Sequence, residues 1–112
     1  MKIINPIKIK NYKGNIFKYS LKEIFFKKKI RDFYFTEIKK NFIKGWKLKD
    51  RETVLIVISG EVKIEIIEKN IRLIRLFKSK DKQIIIIPKK KKFRFSAPHK
   101  KSQLLSFLNE IY

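Results

Sequence analysis

Cysteine is absent from the 112 residues, histidine and alanine occur once each, and glycine and proline three times each. The missing cysteine excludes disulfides, zinc fingers, iron–sulfur clusters and thiol catalysis. His99, standing alone, excludes any site that needs two imidazoles. Long apolar runs are also missing: those within 53–59 and 84–87 stop far short of the ~20 residues a membrane-spanning helix needs. The N-terminal MKIINPIKIK lacks the apolar core of a signal peptide, so a cytoplasmic protein with no membrane partner is expected. There is no internal repeat, Gly/Ser-rich linker or low-complexity tail, and residues 1–112 are read as a single domain.

What is present is positive charge. Thirty Lys and Arg stand against ten Asp and Glu, a formal net charge of +20. Lys supplies 25 of the 30 and Ile accounts for 21 residues, a profile that A/T-rich codons would produce. Glu and Asp codons are also fairly A/T-rich, yet both residues are scarce, so codon bias does not explain the whole charge. Two readings remain: lysines that drifted onto a solvated surface, or selection for an anionic ligand. The 44% of apolar residues is ample for a core, since a chain of this size buries roughly two-thirds of its unfolded surface.

Short alternating runs separated by turn residues recur along the chain, and no stretch has a convincing helical period, which predicts an all-β fold. Ile7 to Asn11 and Ile16 to Tyr19 flank Tyr12-Lys13-Gly14-Asn15, a hairpin signal. Arg31 to Ile38 places Phe33 and Phe35 on one face and Tyr34, Thr36 and Ile38 on the other. Thr53 to Ile58 reads as a strand buried on both faces. Ser59-Gly60 turns the chain into Glu61 to Ile66, with Glu61, Lys63 and Glu65 on a wet face. Lys69-Asn70 marks a tight turn into Ile71 to Phe77, and Pro88 ends Gln83 to Ile87. Phe93 to Phe95 and Gln103 to Leu108 complete nine or ten strands. Leu21 to Lys29 is the one helix candidate.

The most distinctive stretch is Ile43-Lys44-Gly45-Trp46-Lys47-Leu48-Lys49-Asp50-Arg51-Glu52-Thr53, which runs into the apolar strand and the Ser59-Gly60-Glu61 turn. Downstream come Ile87-Pro88, Phe93-Arg94-Phe95 and a closing apolar strand. From Phe33 to Leu108 this layout resembles the cupin family, in its sugar-nucleotide branch of dTDP-4-dehydrorhamnose 3,5-epimerases and dTDP-sugar ketoisomerases. Those enzymes carry Arg-Gly-x-His, then a strand with a Gly-containing turn, then an Ile-Pro step toward an aromatic-rich strand. The matching pieces are Lys44-Gly45-Trp46-Lys47, Ser59-Gly60-Glu61 and Ile87-Pro88. The resemblance implies a cupin-type jelly roll, or double-stranded β-helix barrel, and a nucleotide-linked sugar as ligand, a dTDP-sugar before others. It also implies epimerisation or isomerisation of a 4-keto-6-deoxy sugar in deoxysugar or polysaccharide biosynthesis. A homodimer is a further expectation, with the hairpin in residues 1–20 crossing between subunits.

The departures are as informative. Where metal-binding cupins place a His-x-His pair, a Glu and a later His, this chain holds Lys47, Lys49, Glu52 and Phe93. An ammonium does not ligate a divalent ion, so no metal or other cofactor is expected. The resembling epimerases take their general base from the histidine that Lys47 replaces.

Family chemistry removes a proton beside a ketone and needs a base in reach and a positive group near the developing oxyanion. Lys47 is the candidate base, its pKa lowered by Lys44, Lys49 and partial burial, and Tyr34 the candidate proton donor. Alternation from Gly45 sets Lys47 and Lys49 on one face and Trp46 and Leu48 on the other. Facing inward the two ammonium groups imply an anion; facing outward they are ordinary surface lysines. Substrate contacts are expected from Lys44, Trp46, Lys49, Glu52, Arg72 and Arg94. In this reading Trp46 stacks on a base or sugar, Glu52 orients a lysine, and Arg72, Arg75 and Arg94 grip a pyrophosphate.

Each candidate has a plainer reading: Tyr34 and Trp46 as core residues, Glu52 as a surface partner of Arg51, the arginines as solvated, His99 as an exposed loop residue. A degenerate cupin that binds a sugar nucleotide or a partner enzyme without turnover fits the same residues. So does a basic β-barrel for RNA or DNA, on the strength of the Lys27–Lys29 and Lys89–Lys92 runs beside Phe93 and Phe95. Against nucleic acid stand the strand count and the absence of a ribonucleoprotein motif.

Overall fold

Alternation in the chain becomes two-faced strands. The structure, a computed structural model, describes residues 1–19 and 30–109; the helix weighed for Leu21 to Lys29 and the Lys27–Lys29 run lie outside the described residues. Eleven strands are present among those described: β1 Lys2–Ile4, β2 Ile7–Asn11, β3 Gly14–Lys18, β4 Ile30–Ile38, β5 Lys47–Leu48 and β6 Thr53–Ser59 lead the order. They are followed by β7 Glu61–Glu68, β8 Ile71–Lys78, β9 Ile84–Ile87, β10 Lys92–Ser96 and β11 Ser102–Asn109. The all-β expectation holds. The strands it missed, β1 and β5, are three and two residues long, too short to display a period.

Two antiparallel sheets face each other, one ordered β1-β9-β6-β11-β4 and the other β5-β10-β7-β8. The inward positions of both, among them Leu55, Ile64, Ile66, Ile85, Phe93 and Leu104, form one buried cluster. Each such side chain contributes about 1.5–3 kcal/mol by leaving water, which makes this interface the main source of stability. β6 is apolar on both sides, as expected: Leu55 and Val57 face the core, and Val54 joins Ile4, Ile84 and Ile86 in a second cluster on the outer side of the sheet. Among the described residues, no helix is long and apolar enough to cross a membrane.

Turn chemistry sets the connections. Lys69 and Asn70 both take positive φ, 49° and 62°, between the paired Glu68 and Ile71, the two-residue hairpin read from the sequence. Among the described residues β2 and β3 pair only with each other, with Tyr12-Lys13 as the turn, and this ribbon is almost wholly exposed. Gly60 carries the chain from one sheet into the other with φ +76°. The buried Ser102 hydroxyl closes that turn: it accepts from the Glu61 N–H at 3.0 Å and shares its own proton between the Glu61 and Lys100 carbonyls, each at 2.9 Å.

Gly60→Ala is expected to destabilise the protein. A Cβ would collide with the Ser102 hydroxyl and sit 2.9 Å from the Lys101 carbonyl oxygen. The positive φ alone costs about 1–3 kcal/mol, so denaturant unfolding should show a loss of unfolding free energy at least that large.

Candidate functional site

At the end of the sandwich where β4 edges one sheet and β5 the other, the two sheets border a half-open cavity of ≈ 300 Å³. Its floor is apolar: Leu55 of β6, Phe93 and Phe95 of β10, and Leu108 of β11. Hydroxyls of Tyr34, Thr36, Thr53 and Ser106 line the β4–β6–β11 side. Lys47 and Lys49 enter from the other side, and among the described residues no carboxylate lines the cavity.

The placement of the lysines follows from strand geometry. β5 lies antiparallel on β10 with Lys47 opposite Phe93 and Leu48 opposite Lys92. Phe93 faces the core, so its partner Lys47 does too, and Lys49, two residues on, returns to the same side. The Lys47 ammonium sits 4.8 Å from the centroid of the Phe95 ring, a cation–π contact. Burial lowers the Lys47 pKa from the usual lysine range, and the positive charges of Lys49 and Lys44 lower it further. Across the cavity, Thr53 is 3% exposed and its hydroxyl has no hydrogen-bond partner among the described residues. A buried hydroxyl without a partner costs about 1–3 kcal/mol, which a bound polar group would recover.

Of the other candidates, Tyr34 lines the cavity with its side chain half exposed. Lys44 lies outside it, its backbone N–H donating to the Phe95 carbonyl at 2.9 Å and its side chain in a shallow depression with Glu37 and Phe42. Glu52 is partly buried and is not a lining residue. His99 is exposed, with Nδ1 2.7 Å from a Glu61 carboxylate oxygen. Arg75 covers the Phe77 ring at 5.6 Å. In the Lys89–Lys92 run, Lys89, Lys90 and Lys92 are exposed, and the Lys90 N–H donates to the Lys49 carbonyl at 2.6 Å.

Arg72, Arg94 and Trp46 lie together on the outer face of the β5-β10-β7-β8 sheet and are not among the residues lining the cavity. Arg94 pairs with Glu65 across β10 and β7, on the side opposite the buried Phe93 and Phe95. Glu65, read from the sequence as wet, is 2% exposed. It accepts from Arg94 Nε at 2.8 Å and Arg72 Nε at 3.1 Å, with Lys63 Nζ at 3.6 Å. Trp46 is stacked near both guanidinium groups, 4.5 Å from Arg94 and 5.9 Å from Arg72. The arginines therefore serve a buried carboxylate. No signal in the isolated sequence distinguishes Glu65 from Glu61, because burial here comes from side chains on β8 and β10 and from Trp46.

No family model matches the chain, and no curated protein is detectably similar to it in sequence. Solved structures do match in shape. A 3,4-ketoisomerase from Helicobacter canadensis superposes with TM-score 0.78 at 22% identity, covering 99% of this chain and 84% of that one. The TDP-quinovose 3,4-ketoisomerase of Campylobacter jejuni gives 0.78 at 22%, covering 99% and 85%. The dTDP-6-deoxy-D-glucose-3,5-epimerase of Legionella pneumophila, solved with dTDP-4-keto-L-rhamnose, gives 0.77 at 14%, covering 98% and 66%. The chain thus spans just under two-thirds of the epimerase and most of each ketoisomerase. At these identities the likeness is one of fold, and the fold is the cupin-type jelly roll that the motif layout implied.

Glu65→Gln tests the outer cluster. It leaves Arg72, Arg94 and Lys63 together without their anion, at a cost of about 3 kcal/mol, the low end for a broken buried pair because Arg72 is half exposed and screened. Burial pushes the Glu65 carboxyl up, but hydrogen bonds from Arg94 and Arg72 outweigh it and hold the pKa below the usual carboxylate range. Its contribution is therefore complete above the ordinary Glu value of about 4.3 and is lost as pH falls through the lowered one. Unfolding measured across acid pH should lose that part of its pH dependence in the variant.

Proposed function

From the fold shared with dTDP-sugar epimerases and ketoisomerases, we propose that the cavity binds the sugar of a nucleotide-linked deoxysugar, with Lys47 and Lys49 directed at its anionic or ketonic part. One observation carries the reading: two lysines enter a partly apolar cavity whose lining, among the described residues, offers them no carboxylate, opposite a buried hydroxyl with no partner among those residues. Ammonium groups so placed favour an anion, since a charge taken from water without a partner is costly. The volume of ≈ 300 Å³ lies at the lower bound of ligand cavities and suits one sugar ring, with the nucleotide at the mouth.

Turnover would use Lys47 in its neutral form to take the proton beside the ketone, the Lys49 ammonium to stabilise the enolate oxygen, and the Tyr34 hydroxyl to return a proton. The cavity lining includes no imidazole, which supports a second reading, binding without turnover.

A thermal-shift panel of dTDP, UDP and GDP sugars tests the binding. A dTDP-sugar should stabilise the protein, and Lys49→Gln should weaken binding about tenfold to a hundredfold, the loss of one charge-assisted contact. Deuterium uptake from heavy water into the 4-keto sugar nucleotide, abolished in Lys47→Ala, marks turnover; stabilisation without uptake marks the non-catalytic reading. No stabilisation by any sugar nucleotide would reject both.

A second copy of the chain is the proposed partner. The β2–β3 ribbon exposes Ile7, Ile9, Tyr12 and Ile16, and β4 exposes Phe33 and Phe35 at 63% and 65%. A two-stranded ribbon is marginal alone, so an arm docked on a partner is favoured. Sedimentation should find a dimer, and Phe33→Ser with Phe35→Ser should shift it toward monomer.

A further inference from the structure

We propose that Lys47 is a carbonyl-capturing amine, which forms an imine with an aldehyde or ketone whose anionic end is held by Lys49. The proposal rests on reading the cavity as an anion site and extends it to a covalent step.

Three features of the cavity support this. Lys47 Nζ stands over the Phe95 ring at the boundary of an apolar floor formed by Leu55, Phe93 and Leu108. Neither Lys47 nor Lys49 has an ion-pair partner among the described residues, so nothing there stabilises the ammonium by a counter-charge. The Phe95 ring favours the charged form, while burial and the neighbouring Lys49 and Lys44 oppose it and raise the fraction of free amine. A lysine beside a second cation in an apolar setting is the arrangement that makes an amine nucleophilic near neutral pH. Hydroxyls of Tyr34, Thr36 and Ser106 line the opposite wall, where proton donors to a departing oxygen are needed.

In the step, the nitrogen lone pair adds to the carbonyl carbon and the π pair moves to oxygen, which takes up a proton. The resulting carbinolamine loses the nitrogen-bound proton and, after a second protonation on oxygen, expels water as the C=N bond forms. The balance is amine plus carbonyl plus one proton to protonated imine plus water, with no oxidant or reductant. The protonated imine acidifies the adjacent C–H, so a captured ketone would exchange that proton without an imidazole base.

The test uses the whole chain and pyridoxal 5′-phosphate, which combines an aldehyde with an anion; sodium borohydride then fixes any imine as a secondary amine for peptide mapping by mass spectrometry. With the probe at one equivalent, Lys47 should carry at least about tenfold more label than the average of the other lysines, as expected when the phosphate holds the aldehyde beside the amine. Pyridoxal, which lacks the phosphate, should lose this preference, and so should the probe on Lys49→Gln. Lys47→Arg should remove the preferred site without redistributing its label. Label spread over surface lysines according to exposure would overturn the proposal, and this readout on the unaltered chain needs no variant to fold. Selective labelling of Lys47 that no sugar nucleotide blocks would keep the imine and reject the sugar-nucleotide reading. Thermal stabilisation by a dTDP-sugar without Lys47 labelling would do the reverse.

Discussion

The register of β10 is the constraint on which the site depends. Five residues of that strand pair with β7 on one side, and two of them pair with β5 on the other. Phe93 and Phe95 point into the core and floor the cavity, while Arg94 between them points outward to Glu65. Because strand side chains alternate with period two, a slip of one residue would expose two phenylalanines and bury a guanidinium. The same register aims Lys47 inward and leaves Trp46 outside against Arg94. The core, the cavity and the outer cluster are three consequences of one pairing.

Charge is handled differently at three places. Most lysines among the described residues are exposed, on turns and sheet edges, where water screens them and a net +20 is tolerated at the expense of some self-repulsion. On the outer face of the β5-β10-β7-β8 sheet, the positive charges of Arg72, Arg94 and Lys63 are gathered around one buried carboxylate, so that cluster is satisfied from within. In the cavity the two lysines meet hydroxyls and aromatic carbon and, among the described residues, no carboxylate. The proposed binding rests on the third arrangement, where the described residues supply no counter-charge. This locates the chemical interest of a very basic chain in two of its 25 lysines.

Much of the architecture was legible because its signals are local. Alternation marked β7, continuous apolar residues marked β6 and β9, and Lys69-Asn70 marked the hairpin into β8 that both residues close with positive φ. Alternation also put Lys47 and Lys49 on one face, though not which face. The short β1 and β5 escaped because three or two residues hold no period, and each owes its existence to a partner strand far away in the chain. Glu65 was misread for a related reason: its strand is amphipathic on paper, yet Arg72, Arg94 and Trp46 roof the polar face at that one residue.

Composition and period by themselves determined the fold class, the strands with six or more residues, the exclusion of thiol and two-imidazole chemistry, and the pairing of Lys47 with Lys49 on a common face. These depend on residue identity and on the two-residue repeat of an extended chain, and neither needs a partner. The tertiary structure alone decided which face is interior, since that depends on β5 meeting β10 opposite Phe93. It also brought Arg72 and Arg94 onto a buried glutamate, and set Thr53, whose hydroxyl has no partner among the described residues, across the cavity from the lysines. Burial and pairing are properties of contacts between distant segments, and only the closed sandwich brings those segments together.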